Sequence, residues 1–201
     1  MELACVRGDR QLFADVSFSV AAGELLHVSG PNGCGKTTLL RMSCGLVRPV
    51  KGEVRWAGEP IRTLGEEYLR RVTHLGHANA IKDGLSCTEN LQISTTLSGV
   101  RADPERLAQA LEKVGLGRVG GIPTMVLSQG QKRRLALARL LLADTDLWIL
   151  DEPFTALDTA AVATIRSTIE QHLARGGMVM LTTHQEVPIE ARIRKQLELQ
   201  P

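Results

Sequence analysis

A chain of 201 residues, 43% hydrophobic and 23% charged, has ordinary globular composition and is long enough to bury one sizeable core. Its 24 Lys and Arg against 22 Asp and Glu leave a net charge of +2, too small to imply nucleic acid, and no Ser-, Gly- or Pro-rich linker divides it, so a single domain over 1–201 is expected. The most apolar run, LALARLLLA (135–143), contains Arg139 and is too short for a membrane span, and four scattered cysteines without a Cys-x-x-Cys pair point to reduced thiols on the cytoplasmic side rather than zinc or disulfides.

Apolar runs bounded by Gly, Asp or Pro predict strands at LACV (3–6), VSFSV (16–20), LLHVS (25–29), EVRWAG (53–58), LWIL (147–150) and MVMLTT (178–183). A helical pattern follows the third of these, KTTLLRMSCGL, stopped near Gly45, and another follows the fifth, over 159–174, stopped by Gly176 and Gly177. Strand and helix in alternation imply a parallel sheet. Residues 88–143 carry no strong strand signal and read as helices broken near 115–123, a helical lobe inserted into an α/β core.

GPNGCGKTT (30–38) fits G-x-x-x-x-G-K-[ST] between a strand and a helix. In such a loop of Gly30, Pro31, Asn32, Gly33, Cys34 and Gly35, the glycines let backbone N–H groups turn onto phosphate oxygens, helped by the helix N-terminus at Lys36, Thr37 and Thr38. Lys36 is expected to reach the β- and γ-phosphates, and Thr37 to ligate Mg²⁺. Cys34, beside Lys36, is expected to carry a lowered pKa and to react with alkylating agents, with ATP protecting it.

In LWILDEP a strand ends at Asp151, a second Mg²⁺ ligand, and Glu152 follows as the base that polarises the attacking water. His184 closes MVMLTTH and projects from the same sheet edge if the strands are parallel neighbours, where it can stabilise the γ-phosphate. His27, His74, His77 and His172 gain no site on this ground. LSQGQ (127–131) is a second glycine motif before a helix: Ser128 and Gln131 fit a capping box, and a capped helix start is also an anion site.

GPNGCGKTT, LSQGQ, LWILDEP, TALD and TTH stand in the order and context of ABC transporter ATP-binding subunits, and the chain resembles that family over nearly its whole length. The resemblance implies a P-loop NTPase of the ABC ATPase type: a mainly parallel sheet core, a small antiparallel β lobe and the inserted helical lobe. It implies hydrolysis of ATP with Mg²⁺ by a head-to-tail dimer. Leu127, Ser128, Gln129, Gly130 and Gln131 of one copy would close over the γ-phosphate held by the other, and Asp158 of TALD would couple the two sites. Membrane-spanning subunits would be separate chains.

RQLFADVSFSV, LGHANAIK, WILDEPFTALD and TTHQ are further similar to the haem-export, cytochrome c maturation branch of that family. That likeness implies ATP consumption on the cytoplasmic face of the bacterial inner membrane, release of a haem-loaded chaperone, and no haem ligation by this chain. Two positions depart from the family. Its usual glutamine after the strand aligns with Ala78, leaving His77 or Asn79 as substitutes. The aromatic residue that stacks on adenine aligns near Arg7, whose guanidinium plane can also stack, with Phe13 as a second candidate. These departures keep open a low-turnover regulatory ATP-binding module, a subunit of another ABC transporter, or a soluble ABC ATPase.

Overall fold

The computed structural model describes residues 2–200. Strand β1 (Leu3–Arg7) turns into β2 (Arg10–Val16), an antiparallel hairpin with Leu3 opposite Val16 and Arg7 opposite Arg10. This strand overlaps the predicted VSFSV only at Val16. Leu3, the first residue of β1, already stands opposite Val16, so β1 offers no partner to the residues that follow. Phe18 and Val20 instead pack as non-strand residues against the core.

Strand β3 (Glu24–Ser29) leads through residues 30–35 into α1 (Lys36–Ser43). EVRWAG reduces to β4 (Arg55–Trp56), which pairs with β5 (Glu59–Pro60), because Ala57 and Gly58 both take positive φ (49° and 90°) and reverse the chain. Two single-turn helices, α2 (Ile61–Leu64) and α3 (Glu66–Leu69), precede β6 (Val72–Leu75). The sequence reading missed β6, whose Thr and His interrupt the apolar signal. The helices α4 (Cys87–Leu97), α5 (Pro104–Lys113) and α6 (Gln129–Ala138) follow. The break near 115–123 is present as two short 3₁₀ turns, and a second break separates α4 from α5.

The chain then alternates β7 (Leu147–Asp151), α7 (Thr159–Ala174), β8 (Met178–Thr182) and β9 (Ile193–Glu198). The predicted strands and helix at 147–182 match this closely; β9 was not foreseen, since IRKQLE carries charges at an edge position. The five-stranded sheet runs β6-β7-β8-β3-β9 with every pairing parallel. β7 is buried along its whole length, as a strand covered on both faces must be.

Three apolar clusters stabilise the chain. One joins β3, α1 and the β1–β2 hairpin; a second packs α7 against the other sheet face around Trp148, Phe154 and Ile169; a third, with Leu91, Leu107, Leu111 and Leu135, belongs to the helical lobe. Helix α6 serves two of them, Leu135 and Ala138 facing the lobe and Leu137 the sheet. Among the described residues no helix is long and apolar enough to cross a membrane.

The buried His172 ring stacks on Trp148 with centroids 3.9 Å apart and planes 4° from parallel, and burial holds its pKa below 6.5. Burial lowers His27 and His74 likewise. As pH falls through about 6.5 the unfolded chain takes up these protons before the folded one, so stability is full above that value and declines below it. Thermal unfolding is expected at a lower temperature at about pH 5.5 than at about pH 7.5. His172→Phe, which keeps a ring on Trp148 but cannot titrate, should shrink that difference; an unchanged pH dependence would remove His172 as a contributor.

Candidate nucleotide site

The site is set by strand register. β8 lies between β3 and β7 in parallel, with Asp151 opposite Thr182, so the loop after Ser29, the acids 151–152 and His184 open on one edge of the sheet. A cleft of about 260 Å³ there is lined by Asn32, Gly33, Gly35, Lys36, Thr37 and Thr38, by His77, Asp151, Glu152 and His184, and by Arg7 and the buried Leu12.

The loop from Gly30 to α1 has no room for side chains at two of its glycines. A Cβ at Gly30 (φ 137°) would lie 2.4 Å from the Leu199 carbonyl oxygen, and one at Gly35 (φ 103°) 2.9 Å from the Phe13 ring. Pinned from both sides, the loop presents its backbone to the cleft, and the first-turn N–H groups of α1 have no intrahelical acceptor. Lys36 folds back, its Nζ donating to the carbonyls of Gly30 (2.8 Å) and Pro31 (3.1 Å).

Two expectations fail here. Cys34 is only 2% exposed and packs in the core cluster under the loop, so its thiol is not open to alkylating reagents; the backbone of the loop faces the cleft while this side chain turns inward. Phe13, 4% exposed and lying against Gly35, is the floor of the loop and has no free face for a base. Arg7 is exposed and borders the cleft.

Thr37 Oγ1 donates to Asp151 Oδ2 at 2.8 Å, and Thr182 Oγ1 donates to Asp151 Oδ1 at 2.7 Å, so a buried carboxylate is held by a hydroxyl on each oxygen. A hydroxyl and a carboxylate meeting at the phosphate loop are hard oxygen donors of the kind Mg²⁺ takes, and these residues fit that ion. Glu152 sits at positive φ (51°), a costly conformation for a side chain with a Cβ. It is held there because its N–H donates to the Thr182 hydroxyl (3.0 Å) and carbonyl (3.2 Å). The side chain is 15% exposed; Oε2 accepts the His184 N–H at 3.3 Å. Oε1 lies 3.5 Å from His184 Nε2, buried and without a hydrogen bond, an acceptor with capacity to spare.

His77 lines the cleft, Ala78 is exposed and carries only a methyl group, and Asn79 Oδ1 accepts from Arg133 Nη1 at 3.1 Å. His77 therefore faces the nucleotide side and Asn79 faces α6.

LSQGQ does not line the cleft of its own chain. Ser128 caps α6 as predicted: its Oγ accepts the Gln131 N–H (3.2 Å) and Gln131 Oε1 accepts the Ser128 N–H (2.9 Å). Leu127 is buried, whereas Ser128 and Gln129 are exposed at the helix start. Gly130 approaches the TALD turn so closely that a Cβ would stand 3.0 Å from the Ala156 carbonyl oxygen. Asp158 at the end of that turn caps α7, accepting the Ala161 N–H at 2.8 Å.

Sequence reading missed two residues at the site, Thr182 and Arg133. Thr182 is fully buried beside Asp151, and its only sequence signal is a second hydroxyl residue ahead of His184. Arg133 is 5% exposed and bonds to the carbonyls of Asp151 and Glu152; a buried arginine in KRR is indistinguishable from its solvated neighbours by pattern alone.

Comparison with known proteins agrees with this geometry. The ABC transporter family profile matches residues 13–155. A cytochrome c biogenesis ATP-binding export protein CcmA of Nitrosospira multiformis is 52% identical over 99% of this chain and 97% of its own. The protein of the same description from Nitrosomonas europaea is 55% identical over 92% and 87%. Among solved structures, a putative ABC transporter ATP-binding protein from Pyrococcus furiosus superposes with a TM-score of 0.82 at 26% identity, covering 98% of this chain and 94% of that one. A cradle, two acids and a histidine on one sheet edge, a capped second glycine motif outside the cleft, and relatives matched end to end lead to one assignment: the chain is an ATP-binding member of the ABC transporter family, in its CcmA branch.

Proposed function

We propose that the chain is the ATP-hydrolysing subunit of a membrane-bound export complex for cytochrome c biogenesis, acting as a single nucleotide-binding unit paired head to tail with a second copy. Membrane-spanning haem-handling subunits are its partners, on the cytoplasmic face of a bacterial inner membrane, and release of a haem-loaded chaperone is the work done. The observation that carries the pairing is the position of Ser128: it heads an exposed helix start outside the cleft that holds Lys36, Thr37, Glu152 and His184. A second anion-binding terminus with no access to its own chain's nucleotide is available to a twin's.

In this reading ATP enters the cleft with its phosphates over Gly30, Pro31, Asn32, Gly33, Cys34 and Gly35. Lys36 exchanges the two carbonyls it now contacts for phosphate oxygens, and Thr38 adds a donor in the first turn. Thr37 and Asp151 would hold Mg²⁺, which supplies positive charge against the phosphates. Glu152 orients water and takes its proton as the water oxygen attacks the γ-phosphorus and the bond to the ADP oxygen breaks. His184 steadies Glu152 through its backbone N–H and presents its ring to the γ-phosphate. Arg7 stacks on the base.

Closure then depends on the γ-phosphate. Driving such a clamp from mostly open to mostly closed takes about 5.5 kcal/mol of preference for the closed form, within reach of contacts from Leu127, Ser128, Gln129, Gly130 and Gln131 on the partner's nucleotide. Asp158, at the turn against which Gly130 packs, stands where the two copies would meet. Ala78, which can neither ligand a metal nor position water, favours a second reading, a slow regulatory module. ATP turnover measured on the chain purified with its membrane partners separates the two.

Glu152→Gln should leave ATP binding intact, lower turnover by about 10²–10⁴-fold, and let an ATP-bound pair accumulate in size-exclusion chromatography. A variant that hydrolyses at the original rate would take Glu152 out of the base role. Arg7→Ala should raise the KM for ATP about two- to fivefold, the worth of an exposed cation–π stack of about 0.5–1 kcal/mol, with kcat unchanged. No change in KM would mean that Arg7 does not hold the base. Detergent extraction of native membranes should bring haem-containing subunits down with the chain; their absence would overturn the export assignment.

A further inference from the structure

Arg133 is buried on α6, one turn beyond Ser128, and its two terminal nitrogens reach two other segments of the chain. Nη1 donates to the Gly76 carbonyl (3.2 Å) and to Asn79 Oδ1 (3.1 Å); Nη2 donates to the carbonyls of Asp151 (3.0 Å) and Glu152 (2.7 Å). Its Nε is buried without a partner, so the side chain is held only by its fork. Burial lowers its pKa, and the nearby carboxylates of Asp151 and Glu152 act against that only in part. Neither contacted segment is relaxed: Glu152 lies at φ 51° and Ala80, next to Asn79, at φ 50°. Conformations of that kind persist when surrounding contacts over-determine them.

The geometry points to Arg133 as a positioning residue that ties the helix headed by Ser128 to the water-activating Glu152 and to the His77 loop of the same chain. This rests on the two-copy reading above. There, Ser128 meets the partner's ATP while Glu152 serves the ATP in its own cleft, so one side chain within one protomer links the two composite pockets. The link is stiff at each joint. α6 is a capped helix, so a shift at Ser128 is carried to Arg133 as a rigid body, and a planar guanidinium bridging four acceptors cannot stretch to absorb it. Movement of the helix start is therefore felt at the Glu152 carbonyl and at the loop that presents His77.

The test uses Arg133→Gln, Arg133→Lys and Asn79→Ala. In the nucleotide-free chain, amide hydrogen exchange over 76–80 and 152–154 should accelerate in Arg133→Gln, and over 76–80 alone in Asn79→Ala. In the chain assembled with its membrane partners, ATP binding should be unchanged while kcat falls by about 10²-fold in Arg133→Gln. Arg133→Lys should not restore it, because a point charge cannot span the four acceptors. Both Arg133→Gln and Asn79→Ala should also lose any sigmoidal dependence of turnover on ATP. Full activity in Arg133→Lys, or unaltered exchange in both loops, would overturn the positioning role. Asn79→Ala, which removes a half-buried amide and leaves the guanidinium in place, keeps the exchange arm decisive if the arginine variants do not fold. Wild-type protein that binds ATP without turning it over would strike the proposed function instead, and the exchange arm would still judge the bridge.

Discussion

The site depends on the parallel register of β3, β8 and β7. Side chains in a strand alternate faces with a period of two, so a slip of β7 by one residue against β8 would carry Asp151 away from Thr182 and turn the two faces of β7 over. Burial of β7 on both faces makes that slip costly, because every one of its five residues would exchange one packed environment for another. The catalytic edge is thus fixed by the sheet core and not by the loops that decorate it. Thr182 shows the economy of the arrangement: one hydroxyl donates to Asp151 and accepts from Glu152, so the proposed metal ligand and the proposed base are both set by one side chain.

Several polar groups of the cleft bond to one another. Lys36 rests on its own loop's carbonyls, and Thr37 on Asp151. A buried carboxylate facing no donor would be costly, and these internal bonds hold that cost down while the cleft waits. In the proposed chemistry each would be given up for phosphate and Mg²⁺, and until then these contacts keep Lys36, Thr37 and Asp151 close to the positions that chemistry needs.

Much of this was legible in the sequence, for identifiable reasons. The strands at 147–151 and 178–182 were readable because they are buried almost throughout, and the helix at 159–174 because its buried residues recur at helical spacing, Ala161, Ile165 and Ile169, and its end carries a strong stop. The phosphate loop was readable because its spacing has a steric cause: Gly30 and Gly35 are squeezed by Leu199 and Phe13. What could not be read was long-range. β2 was displaced because its limits are set by a partner strand, β9 was hidden by edge charges, and Phe13 stood as a second candidate for stacking because only the fold lays Gly35 against it. Arg133 and Asn79 lie 54 positions apart, and nothing local marks them as partners.

Helix α6 belongs to two hydrophobic clusters at once, with Leu135 and Ala138 in that of the lobe and Leu137 in that of the sheet. The inserted segment is accordingly not a detachable appendage. Excising it would leave a hole in the central body where Leu137 and Leu140 had been, and grafting in the lobe of a distant relative would demand side chains cut to fit at two seams rather than one. The 3₁₀ turn that follows α6 repeats the pattern, Leu140 packing with the sheet and Leu141 with the lobe, so the seam continues past the helix end.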